Sequence, residues 1–103
     1  MPVISVDDWY HFYHMLNSHT KVAVDFTASW CGPCRQMTPI FSDLSSEHRD
    51  VLFLSVDIDN VRDVAQAYGI SSLPTFKFFY GGREYQTVVG ANRSGLEYGI
   101  ESL

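Results

Sequence analysis

Cysteine is scarce here: the 103 residues hold two, Cys31 and Cys34, with only Gly32 and Pro33 between them. Basic residues are few as well. Seven Lys plus Arg lie scattered against twelve Asp plus Glu, a formal net charge of -5, so no basic stripe exists to neutralise a phosphate backbone. Nucleic acid is thereby excluded as a partner class. Seven Gly and four Pro leave no linker, and no internal repeat or low-complexity segment interrupts the chain. A single core and a single domain over residues 1–103 are expected. The first eight residues carry neither the basic start nor the apolar run of a secretory signal or membrane span. The expectation is a cytoplasmic protein without a membrane partner. In a reducing compartment two thiols stand open, which favours a catalytic or metal-binding pair over a structural staple.

What is present is a regular alternation of patterns. Ser5 and the acidic pair Asp7-Asp8 stand before Trp9, Phe12, Tyr13 and Leu16, whose helical spacing predicts a helix over residues 6–17 starting beside Ser5. Residues 22–26 form a β-branched-rich run, apolar on both faces except for Asp25, as in a central strand covered by helices. Met37, Ile40, Phe41 and Leu44 predict a second helix from the cysteines to about His48, with Pro39 expected to kink it. Residues 51–56 read as another buried strand, and Val61, Val64, Ala65 and Tyr68 as a short helix stopped by Gly69. Residues 75–80 and 84–89 read as a hairpin closed by Gly81-Gly82. Leu96, Ile100 and Leu103 could line a last helix, which Gly95 and Gly99 weaken. A short extended piece at residues 3–5 completes the order. Such alternation implies parallel strands with right-handed crossovers, then an antiparallel hairpin. The fold class is α/β, a mixed sheet of four to five strands flanked by four helices.

Cys31 and Cys34 fall where a strand ends and a helix begins, a common position for active sites in open α/β sheets. The first helical turn offers unpaired N–H groups and the positive end of the dipole, both of which favour a thiolate. Cys31 stands at that position and is the better nucleophile. Cys34 lies one turn further in, placed to attack a mixed disulfide on Cys31 and release the reduced partner. Half of a zinc site is the alternative for the pair, but no second cysteine pair exists. His11 and His14 have ligand-like spacing on a helix. They share its polar face with Ser18 and read as solvated surface.

Val24-Asp25-Phe26, Trp30-Cys31-Gly32-Pro33-Cys34, Pro39, Leu73-Pro74-Thr75-Phe76, Gly82 and Val89-Gly90-Ala91 occur in the order and spacing of thioredoxins. The chain resembles that family along essentially its whole length. The resemblance implies a thioredoxin fold and a protein-disulfide reductase that binds no cofactor itself. Electrons would come from NADPH through a flavin-containing thioredoxin reductase, and targets would be disulfide-containing proteins such as peroxiredoxin or ribonucleotide reductase, met by a monomer. It further implies a cis peptide at Pro74 and pairing of the Leu73 backbone with an extended substrate segment. Trp30, Pro74, Gly90 and Ala91 would form an apolar collar around Cys31, with Gly32 and Pro33 beside it. Asp25, expected to be buried and slow to ionise, would move the proton of Cys34; its bland alternative is a buried polar group with a structural role.

Three departures from the family's pattern stand out. Ser55 falls where many bacterial members carry a lysine near the buried aspartate, Arg35 replaces the common lysine after the motif, and Thr27 stands where bacterial members often have tryptophan. A second functional class also stays open: a binding or adaptor module, or one domain of a larger protein. An oxidase or isomerase fits Gly32-Pro33 less well, since this dipeptide resembles that of reducing members.

Overall fold

The computed structural model describes residues 2–103. Five strands, β1 (Ile4–Ser5), β2 (Lys21–Thr27), β3 (Leu52–Asp57), β4 (Thr75–Tyr80) and β5 (Arg83–Val89), form one sheet in the order β1-β3-β2-β4-β5. Four helices, α1 (Trp9–Ser18), α2 (Gly32–Glu47), α3 (Arg62–Ala67) and α4 (Arg93–Glu101), join or follow them. β1, β3 and β2 are parallel, whereas β4 pairs antiparallel with β2 and β5 antiparallel with β4. This is the expected α/β mixed sheet.

Side-chain alternation along β2 divides the core. Val22, Val24 and Phe26 pack with Leu54, Val56 and Phe79 under Phe12 and Leu16 of α1 and Val64 of α3. Ala23, Phe53, Phe76 and Phe78 pack on the opposite face against Met37, Phe41 and Leu44 of α2 and Leu96 and Ile100 of α4. Both faces are thus covered, which is why the central strand reads as a run apolar on both faces but for Asp25. Each of these large side chains contributes about 1.5–3 kcal/mol on leaving water. The one buried charged residue of β2, Asp25, lies on the α2 face and is 3% exposed.

Local chemistry corrects one boundary. α1 starts at Trp9, not Val6, because Asp8 is its cap: the Asp8 carboxylate accepts the His11 N–H at 2.8 Å, while Ser5 is in β1. A carboxylate that terminates the first turn outcompetes the earlier serine, and the acidic residues precede the helix instead of occupying it. His14 is exposed, whereas His11 is half-buried and its Nδ1 accepts the Asp7 N–H at 3.0 Å. α2 continues through Pro39 as one helix, and the Thr38 hydroxyl just before it donates to the Cys34 carbonyl at 2.9 Å.

The glycines of α4 have a packing reason. A Cβ on Gly99 would fall against the Phe78 ring, and one on Gly95 would lie 2.9 Å from Val88 Cγ1. The helix forms despite its low propensity because only hydrogen atoms let it approach β4 and β5 so closely; Asn92 caps it by accepting the Gly95 N–H at 2.9 Å. In the β4–β5 hairpin Gly81 and Gly82 adopt φ of 60° and 83°, as a type I′ turn requires.

Candidate active site

The site is built at the carboxyl ends of the parallel strands. β2 and β3 end flush, with Thr27 opposite Asp57, and the Ile58 N–H donates to the Thr27 carbonyl at 3.0 Å. This brings the turn after β3 beside the loop that carries Trp30 and Cys31. Cys31 and Cys34 form a disulfide with Cα atoms 5.3 Å apart. The pair packs in a small apolar cluster with Ala28, Ile58 and Leu73.

Cys31 is the N-cap of α2. Its Sγ accepts the Cys34 N–H at 3.2 Å, and Gly32 and Pro33 follow in the first turn, where the missing N–H of proline costs nothing. No acidic residue occupies that turn, so nothing there opposes negative charge at the positive end of a 16-residue helix. An amide donor plus the helix dipole is the environment that lowers a thiol pKa. Arg35 reinforces the arrangement: its guanidinium donates to the Ser29 carbonyl at 3.2 Å, tying the helix to the loop before the cysteines.

Trp30 is 64% exposed, an unusual position for so large an apolar ring. Its indole N–H donates to the Asp59 carboxylate at 2.8 Å, and the Asp59 N–H in turn donates to the Asp57 carboxylate at 2.9 Å. Sequence reasoning missed Asp59. The available signal was the Asp57-Ile58-Asp59-Asn60 run, a turn former directly after a parallel strand, at the sheet edge where the cysteines lie.

The peptide between Leu73 and Pro74 is cis. Pro74 is buried, and its carbonyl accepts the Gly90 N–H at 2.7 Å, which joins the loop before β4 to the bend after β5. Gly90 has φ of 92°, so the chain turns there in a conformation open to glycine. Ala91 is exposed just beyond it. Leu73 is half-buried against the cysteines, and among the described residues its backbone groups make no backbone hydrogen bond. An unpaired backbone segment beside a disulfide can pair with an extended chain.

Asp25 sits opposite Ser55 on β3 and Phe76 on β4. Its Oδ1 has no hydrogen-bond partner among the described residues, and burial pushes the carboxyl from 3.8 up to about 7. No ion pair among the described residues involves it. Asp25 lines a cleft with Thr38 and Phe41, which stand four and seven residues along α2 from Cys34 and so on the same helical stripe. The carboxyl group therefore faces the buried side of the helix that begins at the disulfide. Among the described residues no three His, Cys, Asp or Glu side chains are grouped to hold a metal ion, and no helix is long and apolar enough to cross a membrane.

A mixed sheet that presents a two-residue-spaced disulfide at a helix N-terminus, beside a cis-proline loop, defines a domain for dithiol–disulfide exchange. The comparisons agree. The thioredoxin family model matches residues 3–102. Thioredoxin of Ovis aries is 41% identical over 103 residues, covering 98% of each protein. The TPR repeat-containing thioredoxin TDX of Arabidopsis thaliana is 53% identical over 75 residues, 73% of this chain but only 20% of that protein's length. The structure of Plasmodium falciparum thioredoxin superposes with a TM-score of 0.94 at 36% identity, covering 97% of this chain and 98% of that one. The chain belongs to the thioredoxin family, whose members need no bound cofactor, and is a thioredoxin-type dithiol–disulfide oxidoreductase.

Proposed function

We propose that the protein reduces disulfides in other proteins, with Cys31 as attacking thiolate and Cys34 as resolving thiol. The single observation that carries this order is the position of the two sulfurs: Cys31 caps α2 and its Sγ receives the Cys34 N–H, whereas Cys34 lies inside the first turn. Cys31 attacks the target disulfide; one target sulfur bonds to Cys31 and the other leaves as thiolate. Cys34 loses its proton and attacks Cys31, which expels the second target sulfur and leaves the Cys31–Cys34 disulfide. Asp25, protonated and ionised in comparable amounts near neutral pH, takes up the proton of Cys34.

The docking surface in this reading is the collar of Trp30, Gly32, Pro33, Pro74, Gly90 and Ala91, with the Leu73 backbone pairing with the target. A flavin-containing thioredoxin reductase returns two electrons from NADPH. Targets are disulfide-containing proteins such as peroxiredoxin or ribonucleotide reductase, in the cytoplasm, met by a monomer consisting of one domain over residues 1–103. A protein-disulfide reduction assay with reductase and NADPH, or with dithiothreitol, tests this: wild type should turn over and Cys31→Ser should not. Equal slow rates for both would reject it.

A second reading is a domain of a larger protein that recruits partners. It is favoured by the match to a fifth of the TPR repeat-containing relative. Pull-down with Cys31→Ser plus Cys34→Ser separates the two, because an adaptor keeps its partners without either sulfur.

A further inference from the structure

The strand β5 carries a bulge. Phe78 pairs with Gln86 and Phe79 with Glu84, which leaves Tyr85 as the extra residue. On a regular strand Glu84 and Thr87 would point to opposite faces. The bulge turns both toward Lys77 of β4, whose ammonium group donates to the Glu84 carboxylate at 2.7 Å and to the Thr87 hydroxyl at 3.1 Å. Lys77 is the one buried Lys or Arg among the described residues, 7% exposed, whereas the Glu84 side chain is 41% exposed and has water to satisfy it. A buried ammonium group has three donors to satisfy, and two of these find partners.

Lys77 lines a small cavity of about 100 Å³ between the loop after α3 and the β4–β5 pair. Tyr68, Ser71 and Ser72 line it too, and none of their hydroxyl groups has a hydrogen-bond partner among the described residues. Burial first and the Glu84 charge second hold the Tyr68 hydroxyl above its ordinary pKa, so it keeps its proton and can donate. The cavity adjoins the docking face along two stretches of chain: Ser72 precedes Leu73, and Val89, a lining residue that is 56% exposed, precedes Gly90. It is thus a donor-rich recess beside the segment that pairs with targets.

We propose that this cavity is a subsite for an acidic side chain of the target protein, and that Lys77 is the residue that sets the preference. An extended segment paired with Leu73 presents every second side chain to one face, about 6.6 Å apart, so one position flanking the target cysteine meets the cavity. A carboxylate there takes the third ammonium donor and the hydroxyl groups of Ser71 and Ser72, each able to donate. The volume corresponds to several waters, the room that a carboxylate displaces. The net charge of -5 opposes acidic targets at long range, which confines the preference to the position that reaches Lys77. This inference rests on the Leu73 backbone pairing with the target.

The test uses disulfide-linked peptides in which glutamate, glutamine or alanine is placed in turn at each position around the target cysteine. Pre-reduced protein is mixed with each peptide in a single turnover, quenched with acid, and the rate of peptide reduction is read by mass spectrometry. The readout is the ratio of the glutamate to the alanine rate within one variant, so a general loss of activity cancels. In wild type the ratio should reach on the order of fivefold at one position, as a hydrogen bond to a charged group supplies, with glutamine in between. Lys77→Met should bring it to unity. Glu84→Gln removes the carboxylate that competes for the ammonium group and should raise the ratio, which an ion pair that merely holds β5 in place would not do. Ser71→Asp puts a negative charge at an exposed lining position and should lower the ratio below unity, and this variant stands if Lys77→Met does not fold. A ratio of unity at every position in wild type, or a ratio that survives in Lys77→Met or Ser71→Asp, would overturn the subsite alone. Failure of wild type to reduce any of the peptides would overturn the docking reading itself.

Discussion

The exposed indole of Trp30 is pinned by Asp59, whose carboxylate accepts the indole N–H at 2.8 Å across a separation of 29 residues. A ring left free in solvent would have to be ordered each time a partner docks, at a cost of about 0.5–1.5 kcal/mol for an immobilised side chain. Asp59→Ala should therefore raise KM for a protein disulfide by roughly two- to tenfold, in line with that cost, while kcat changes little. Asp59→Asn retains an acceptor oxygen and should recover most of the loss. Steady-state insulin reduction and the fluorescence anisotropy of Trp30 together check this; an unchanged KM with a mobile indole would show that ordering Trp30 does not matter for docking.

Asp25 makes stability depend on pH with a definite sign. Burial holds its carboxyl up to about 7 against 3.8 in the ordinary group, so the folded state keeps a proton that the unfolded chain loses. Below about pH 4 both states are protonated and Asp25 costs nothing through this linkage. As pH rises from there to 7 the cost grows, and above 7 it is complete, with a ceiling of about 4 kcal/mol from the shift. Asp25→Asn should be more stable than wild type by up to that amount at pH 8, and its advantage should shrink by pH 3. Urea unfolding at the two pH values measures it; an advantage independent of pH would refute the linkage.

Removing the resolving sulfur should freeze the reaction halfway. Cys34→Ser leaves Cys31 able to attack but provides nothing to expel the target, so covalent complexes sensitive to reductant should accumulate with oxidised protein substrates. Non-reducing electrophoresis shows them directly. Adducts that persist in Cys31→Ser and are absent in Cys34→Ser would reverse the assignment of the two thiols.

Gly99→Ala should destabilise the protein even though alanine is the better helix former. The propensity gain is about 1 kcal/mol, whereas a methyl group driven into the Phe78 ring costs about 1–3 kcal/mol in a packed core. Equilibrium unfolding should show a lower midpoint with an unchanged slope. A gain in stability would mean that α4 can move away from β4 freely.

Much of this architecture could be read from the residues because local and tertiary signals agree. The apolar runs of β2 and β3, interrupted only by Asp25 and Ser55, the Gly81-Gly82 turn and the Met37–Phe41–Leu44 stripe each specify one element and its burial. Misreadings arose where two local signals competed, as at Ser5 and Asp8, both competent caps, of which the geometry uses Asp8. Gly95 and Gly99 argued against a helix because their purpose, close approach to Val88 and Phe78, exists only once the sheet is assembled. Asp59 stayed hidden for the same reason, since its partner Trp30 is distant in sequence and adjacent only when β2 and β3 lie in parallel register. The burial of Asp25 could be anticipated from its apolar strand. The cleft it lines could not, because its walls come from β1, β3 and α2.

The central claim is that α2 holds Cys31 as a thiolate near neutral pH, and the pH dependence of iodoacetamide alkylation of the fully reduced protein tests it most directly. With modification sites resolved by mass spectrometry, Cys31 should react first, with a midpoint well below the value of about 8.5 for a free thiol, while Cys34 lags. A Cys31 midpoint at that free value, or alkylation of Cys34 ahead of it, would contradict the account.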